Sequence, residues 1–399
     1  MKQQCPYCGN NPVPHRLYWY NESLNIVLTP LRQKLLYNGL TKFIKKRGWD
    51  QKLSLFFLFV GEKLKIITRQ PDVSKCKIRR AQVLWEEGVA RGIKMEELLL
   101  FGHGFDCYAA KKSADQQISR PANPIVFSGL PRPAGYTNKW LDLMDDKALF
   151  KKIMIENNLP VPAGRSATSF SEALEIFNSI QKPVIVKPRS GSRGRHSTTF
   201  VSTESELKKA FEVAQQLCHW VIVEEQLTGP VYRATVINFK LEGVLRGDPP
   251  QVTGDGVQNI SQLIGQKNYL PHLGVKDIVV DAKTELFLSR QNLKLSAIPK
   301  DGELVNLSEK IGVNYGGSSS EDFTICHPDN KELFERAAKV LGDPLVGFDF
   351  IIPDVAKSWK QQKCGFIEVN SLPFINLHHD PLLGEPRNIA AAVWDMVGY

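Results

Sequence analysis

The sequence predicts an α/β chain in which a small N-terminal domain precedes a longer α/β region. Three observations predict it. Short apolar runs alternate with helical patterns through most of the chain. A stretch dense in Pro and Gly, Arg120 to Gly135, is the candidate linker, giving domains at 1–137 and 138–399. Two strands near the end, Val346–Ile352 and Gly365–Asn370, carry Asp349 and Glu368 within mainly apolar surroundings.

Residues 1 to about 50 mix aromatic and basic side chains (Tyr18-Trp19-Tyr20, then Lys42 to Arg47) and show no clear organisation. From there the reading is strand Leu53–Val60, helix Ile78–Arg91 stopped by Gly92, and strands Glu97–Phe101, Cys107–Lys111 and Ile125–Phe127. A helix from Asn138 to Asn157 stops at Asn158-Leu-Pro160. Helix Ser171–Ile180, strand Pro183–Lys187, the Gly/Ser/Arg loop Ser190–Ser197, strand Thr198–Ser202, helix Glu204–Leu217 and strand Trp220–Glu225 follow as a βαβ-like block. Ser202 to Glu206 is rich in helix-capping residues. Neither a Gly-x-Gly-x-x-Gly in that block nor a Walker-type Gly-x₄-Gly-Lys-Ser/Thr anywhere is found.

Composition narrows the function classes. With 399 residues, 42% hydrophobic and 23% charged, the chain is an ordinary globular protein rather than a disordered or fibrous one. Its formal charge of +9 favours anionic partners. No Lys/Arg run or interleaved basic and aromatic motif makes nucleic acid the expected one. Leu53–Val60, the longest apolar run, is too short to span a bilayer, and the N-terminus shows no apolar signal segment. The cytoplasm is the expected compartment, and a homo-oligomer stays open.

Seven scattered cysteines argue against a disulfide framework. Cys5-Pro-Tyr-Cys8-Gly looks like half a zinc knuckle, but no second Cys-x-x-Cys follows and the spacing to His15 is unconvincing. Free thiols or an intermolecular site are expected there rather than zinc.

The acids carry the chemistry. An ionised carboxylate inside a strand is costly unless compensated. Side chains alternate along a strand, so Glu368 and Asn370 share a face. With Asp349 from a neighbouring strand they form a hard-oxygen set of the kind Mg²⁺ accepts; the alternative is structural pairing of each acid with Arg or Lys. Lys187 leaves its strand into the loop of small residues, where backbone N–H groups and a cation fit phosphate. The alternative there is a solvated basic loop.

The order of these parts resembles the ATP-grasp superfamily: Asp146-Lys147, Lys187-Pro188, the glycine loop, Glu224 to Gly229, Asp349 and Glu368-x-Asn370. The nearer resemblance is to the ATP-grasp half of cyanophycin synthetase and of bifunctional glutathione synthetases. It rests on Gly254-Asp255-Gly256, Gln262-Leu-Ile264, Asn268, Asn314-Tyr-Gly316-Gly317, Asp322, His327-Pro328, Asn370-Ser-Leu-Pro373, His378, Pro381, Gly384 and Pro386-Arg387-Asn388. It covers roughly Lys139 to Tyr399.

The resemblance implies an ATP-grasp fold of two α/β subdomains, 138–229 and 230–399, holding ATP between them. Lys147 and Lys187 would hold the α- and β-phosphates. The loop with Ser190, Gly191, Ser192 and Gly194 would close over them, and Glu224, Glu225 and the backbone at Leu227 would meet adenine. Asp349, Glu368 and Asn370 would hold two Mg²⁺ ions, with Mn²⁺ as a substitute. Arg246 and Arg233 would sit beside the reacting carboxylate. Asn314, Gly316, Gly317, His378 and Arg387 would serve the substrates, an amino-acid or peptide carboxylate and an amine. The implied activity is amide or peptide bond formation through an acyl phosphate. A small-molecule kinase and a nucleotide-binding protein with a decayed site are the alternatives.

Three departures stand out. Val231 replaces the acid that relatives place near the ribose. Phe374 stands where Gly is usual and Asn376 where Arg is usual, so a different acceptor is expected. Cyanophycin synthetase continues into a Mur-ligase-like half, so one type of ligation is expected of a chain ending at Tyr399.

Overall fold

A computed structural model describes residues 5, 7–8, 12–32, 49–112, 124–134, 136, 146–191, 194–269 and 275–399. The basic stretch Lys42–Arg47, the start of the linker, the first turns of the helix expected from Asn138, and Ser192 lie outside these.

Helices α1 (His15–Arg32) and α2 (Trp49–Lys63) come first. The second corrects the strand expected at Leu53–Val60. A continuous apolar run does not reveal its period. Leu55 and Leu58, three apart, pack with Leu98, Ala109 and Val126, while Phe56, Phe57 and Phe59 face outward.

Strand β1 (Ile67–Gln70), helix α3 (Arg79–Ala90) and strands β2 (Ile93–Leu100), β3 (His103–Lys112) and β4 (Ile125–Ser128) make an antiparallel sheet in the order β1-β2-β3-β4. The last strand falls inside the stretch read as a linker. Arg132, just beyond it, is buried and grips Asp343 through two hydrogen bonds of 2.9 and 3.0 Å.

Helix α4 (Lys147–Glu156) starts at Asp146, whose carboxylate accepts from the N–H groups of Ala148 and Leu149. A second sheet holds β5 (Gly164–Ala167), β6 (Val184–Pro188), β7 (Thr198–Val201) and β8 (Val221–Glu225) in the order β5-β8-β6-β7. All its pairs are antiparallel, so the block is not the parallel unit that strand–helix alternation suggests; β7 returns beside β6 across the glycine loop. Helices α5 (Phe170–Ser179) and α6 (Glu204–Gln215) bury Val184, Val186, Val221 and Val223 on one face. The alternation leaves Lys187, Ile222 and Glu224 on the other.

The third part begins with β9 (Val231–Ile237) and β10 (Lys240–Asp248). A small excursion holds β11 (Gln251–Thr253), α7 (Ile260–Tyr269), α8 (Ala282–Arg290) and β12 (Leu304–Asn306). Then come β13 (Ser318–Glu321), α9 (Pro328–Leu341), β14 (Leu345–Ile351), β15 (Gly365–Asn370), α10 (Asn376–His379), β16 (Leu383–Gly384) and α11 (Ile389–Met396). Their six-stranded sheet runs β15-β14-β9-β10-β13-β16.

The two faces of this sheet do different work. Tyr232, Ala234, Val236, Phe348 and Phe350 bury against α4 and α9. On the opposite face, Ile237 and Leu345 join a core with Leu84, Tyr108 and Phe127 of the first part and Ile389, Val393 and Trp394 of the last helix. The first sheet therefore shares its core with the far end of the chain. Further along this second face lie Arg233, Asp349 and Glu368.

Candidate active site

Residues opposite one another in an antiparallel ladder project to the same face. Asp349 is opposite Arg233 on β9 and Glu368 on β15, and Gly347 is opposite Asn370. The ladder shifts register after Asp349, pairing Phe350 with Phe366. Ile367 is thus an extra residue in the strand, a bulge that lets Phe366 enter the core while Glu368 and Asn370 turn to Asp349's side. The three predicted metal-binding residues are brought together.

Their charges are unequally compensated. Arg233 Nε and Nη2 donate to the two Asp349 oxygens at 2.9 and 3.0 Å, a bidentate pair. Glu368 makes no hydrogen bond or ion pair among the described residues. Burial pushes its carboxyl above the usual carboxylate range; the charges of Lys147 and Lys187 oppose this and that of Asp349 adds to it. The buried Asn370 Nδ2 also has no partner, and a half-turn of that amide puts its acceptor oxygen in the same place. A half-buried carboxylate and a neighbouring amide, neither with a hydrogen-bond partner among the described residues, fit a cation bound through oxygen.

On the second sheet, Glu224 accepts from Lys187 Nζ and from Lys151 Nζ, each at 2.5 Å. Burial alone would raise its carboxyl, but the two ammonium groups win and hold it below the ordinary range. Lys151 itself is lowered by burial, partly offset by Glu224. The side chain expected at adenine is therefore engaged by two lysines. Sequence reasoning missed Lys151; its place one helical turn after Lys147 was the available signal.

Lys147 Nζ donates to the carbonyl of Gly191, and its own N–H to that of Arg189 at 3.3 Å. Arg189 clamps the capping carboxylate of Asp146 at 2.8 and 2.6 Å. The glycine loop is thus tied to the start of α4. Gly191 and Gly194 adopt positive φ, +124° and +61°, which fits the small residues there. Ser190 donates its hydroxyl proton to Glu22 of α1. Glu225 accepts from the Ala163 N–H at 3.0 Å and pairs with Lys363 at 2.6 Å, and Leu227 is buried.

Six expected site residues do not join the acids. Arg246 lies opposite Tyr232, whereas Arg233 lies opposite Leu245, so the two arginines project to opposite faces. Arg246 Nε instead donates to Asp248 at 3.1 Å, and Nη1 lies 3.8 Å from Asp322. Gly317 lies beside it, where a Cβ would meet the Asp248 carbonyl at 2.2 Å, Gly316 packs against Ile278, and Asn314 is exposed. His378, expected at substrate, is wholly buried, with Nδ1 2.5 Å from Glu321 and Nε2 2.7 Å from Thr235. It packs on Gly243, where a Cβ would come within 2.4 Å of the ring. Arg387 is spent on the Glu242 carbonyl and the Phe323 ring, 3.6 Å from its centroid. Gly254-Asp255-Gly256 and Asn268 also have local duties: Asp255 accepts from Val257 and Gln258, and Asn268 brackets Ile278.

At the N-terminal cysteines, His15, whose spacing is unconvincing in the sequence, and the distant His196, which the sequence does not suggest, both lie beside Cys5 and Cys8.

Two sheets, one presenting lysines and a glycine loop and the other two acids and an amide, invite comparison with known proteins. The model for the ATP binding domain of the carbamoyl-phosphate synthase L chain matches residues 146–233. The structure of a bifunctional glutathione synthetase from Pasteurella multocida superposes with a TM-score of 0.56 at 25% identity, over 80% of this chain and 43% of that one. The chain has the ATP-grasp fold. The glutathione biosynthesis bifunctional protein GshAB of Listeria welshimeri is 31% identical over 336 residues, 79% of this chain and 40% of the relative. Cyanophycin synthetase of Synechocystis is 34% identical over 267 residues, 64% of this chain and 30% of that protein. The ATP-grasp chain thus spans less than half the length of these curated relatives. No helix among its described residues is long and apolar enough to cross a membrane.

Proposed function

We propose that the protein is an ATP-dependent carboxylate–amine ligase that forms an amide or peptide bond on amino-acid or peptide substrates through an acyl phosphate. The observation that carries this reading is the unanswered Glu368 and Asn370 beside Asp349, on a face where the Lys147 and Lys187 charges are felt. Asp349, Glu368 and Asn370 would hold Mg²⁺, which when bound neutralises phosphate charge as the γ-phosphoryl group is transferred. The bidentate pair with Arg233 leaves further lone pairs on the Asp349 oxygens, so the carboxylate can serve arginine and cation together.

In this reading Lys147 and Lys187 orient the phosphates, and the glycine loop excludes water from them. Lys187 must then share or exchange Glu224 for phosphate, and Lys151 remains to hold that carboxylate. Arg233 faces the transferred group and stabilises the charge that develops there. A substrate carboxylate oxygen attacks the γ-phosphorus, ADP leaves, and an amine then displaces phosphate from the acyl carbon while losing a proton. Phe374, stacked near both Arg80 and Arg233 with centroid distances of 5.1 and 6.0 Å, narrows the acceptor side.

The test is incubation with Mg²⁺, ATP and pooled amino acids and dipeptides, followed by phosphate release and product masses. An amide with one free phosphate per bond is expected. A phosphate ester without free phosphate would make the protein a kinase, and absence of nucleotide binding would mark a decayed site.

A further inference from the structure

Cys5, Cys8, His15 and His196 converge so that their ligand atoms all lie within 4.8 Å of one another. Cys8 Sγ is 3.1 Å from His15 Nε2 and 3.4 Å from His196 Nε2, and Cys5 Sγ is 3.5 Å from His196 Nε2. A tetrahedral zinc ion with sulfur at about 2.3 Å and nitrogen at about 2.0 Å has sulfur–nitrogen edges of about 3.5 Å. Thiol hydrogen bonding accounts for less, because Cys8 has one proton and faces two imidazole nitrogens. The second nitrogen of His196, Nδ1, lies 2.8 Å from the Val213 carbonyl. Donation there puts the ring proton on Nδ1 and leaves Nε2 with its lone pair toward the sulfurs, the outer-shell arrangement usual for a metal-bound histidine. Cys8 and His196 are 3% and 1% exposed, so the cluster is closed to solvent on that side.

We propose that these four side chains form a structural zinc site. Four protein ligands leave no position for water, which separates it from a catalytic centre. Binding sends two thiol protons to solvent, and the two thiolates cancel the charge of the ion. Cys5 and Cys8 have the two-residue spacing of a zinc half-site, and the other half is completed by fold rather than by sequence.

The site joins segments 191 residues apart and lands on one end of the glycine loop. The same N-terminal segment touches the other end: Glu22 accepts from Ser190, and Ser23 Oγ accepts from the His219 N–H at 3.1 Å. The His196 N–H also donates to the Tyr7 carbonyl at 3.3 Å. Zinc would anchor the loop at its His196 end. The metal site does not rest on the ligase reading.

The test uses the full chain and needs no ATP. Metal analysis of protein purified with Zn²⁺ should find about one ion per chain, as four closed ligands require. After chelation, Co²⁺ alone should give the visible bands of a tetrahedral ion and a thiolate charge-transfer band. Cys8→Ser and His196→Ala should each lower retained metal at least about tenfold under a fixed chelator, whereas Cys218→Ser, at a buried thiol outside the cluster, should retain it. Hydrogen exchange around His196 should quicken on chelation. If the variants fold poorly, the cobalt spectrum of the parent chain still decides. Metal-free protein with no tetrahedral cobalt spectrum, or a Cys5–Cys8 disulfide found by mass under non-reducing conditions, would overturn the site.

Discussion

Glu224 and Glu368 are both strand glutamates, the first buried and the second half-buried, yet one is hydrogen-bonded to two ammonium groups and the other to none among the described residues. The first carboxyl is held below its ordinary value and the second is pushed above it. A buried acid with partners belongs to the fold, because removing it strands the partners. A half-buried acid without them weakens the fold and marks a candidate ligand site. Lys187 links the two, bonded to one and felt by the other.

The sharpest break of this comparison is Glu368→Gln. Loss of the charge that would hold Mg²⁺ should lower ATP turnover on the order of 10³-fold. Stability to urea without magnesium should stay level or rise. Parent-like turnover in a folded variant would remove Glu368 from the site.

Glu224→Gln should behave in the opposite way. It leaves Lys151 and Lys187 buried without a counter-charge and should cost about 3 kcal/mol in urea unfolding. If unfolding is unmoved, the two lysines are hydrated and the contrast with Glu368 fails.

The smallest effect is in pH. The raised Glu368 carboxyl favours the protonated form in the folded state, so stability from this group is lost as pH rises from 4.5 through the raised value. The depressed Glu224 carboxyl contributes stability above 4.5 that is lost as pH falls from there through its lowered value. In magnesium-free buffer, Glu368→Gln should melt about 1–2 °C above the parent at neutral pH and match it below 4.5. An advantage that shrinks with rising pH would reverse the assigned sign.

Much of this contrast was legible in the chain. An acid inside an apolar strand announces itself, and the ordered set from Asp146 to Asn370 locates the fold. What escaped was whatever depends on register or on long-range closure. Arg246 looks equivalent to Arg233 until the ladder places it opposite Tyr232. The bulge at Ile367 is invisible in a pattern of alternating residues, and it sets which side chains keep company with Glu368. Leu53–Val60 carries no period, so helix and strand read alike. His196 joins Cys5 and Cys8 only because β7 folds back beside β6, bringing the loop's end under the first residues.

The helix α11 has a consequence for the order of synthesis. Trp394 lies edge-on to Phe127, with centroids 5.6 Å apart, and its indole N–H donates at 2.9 Å to the carbonyl of Leu84, 310 residues earlier. At roughly 5–20 residues per second, a ribosome takes on the order of 15–60 s to cover that separation. Through that interval the first sheet and α3 leave the tunnel with an open hydrophobic wall. The first sheet therefore waits for α11 before Leu84, Tyr108 and Phe127 are covered.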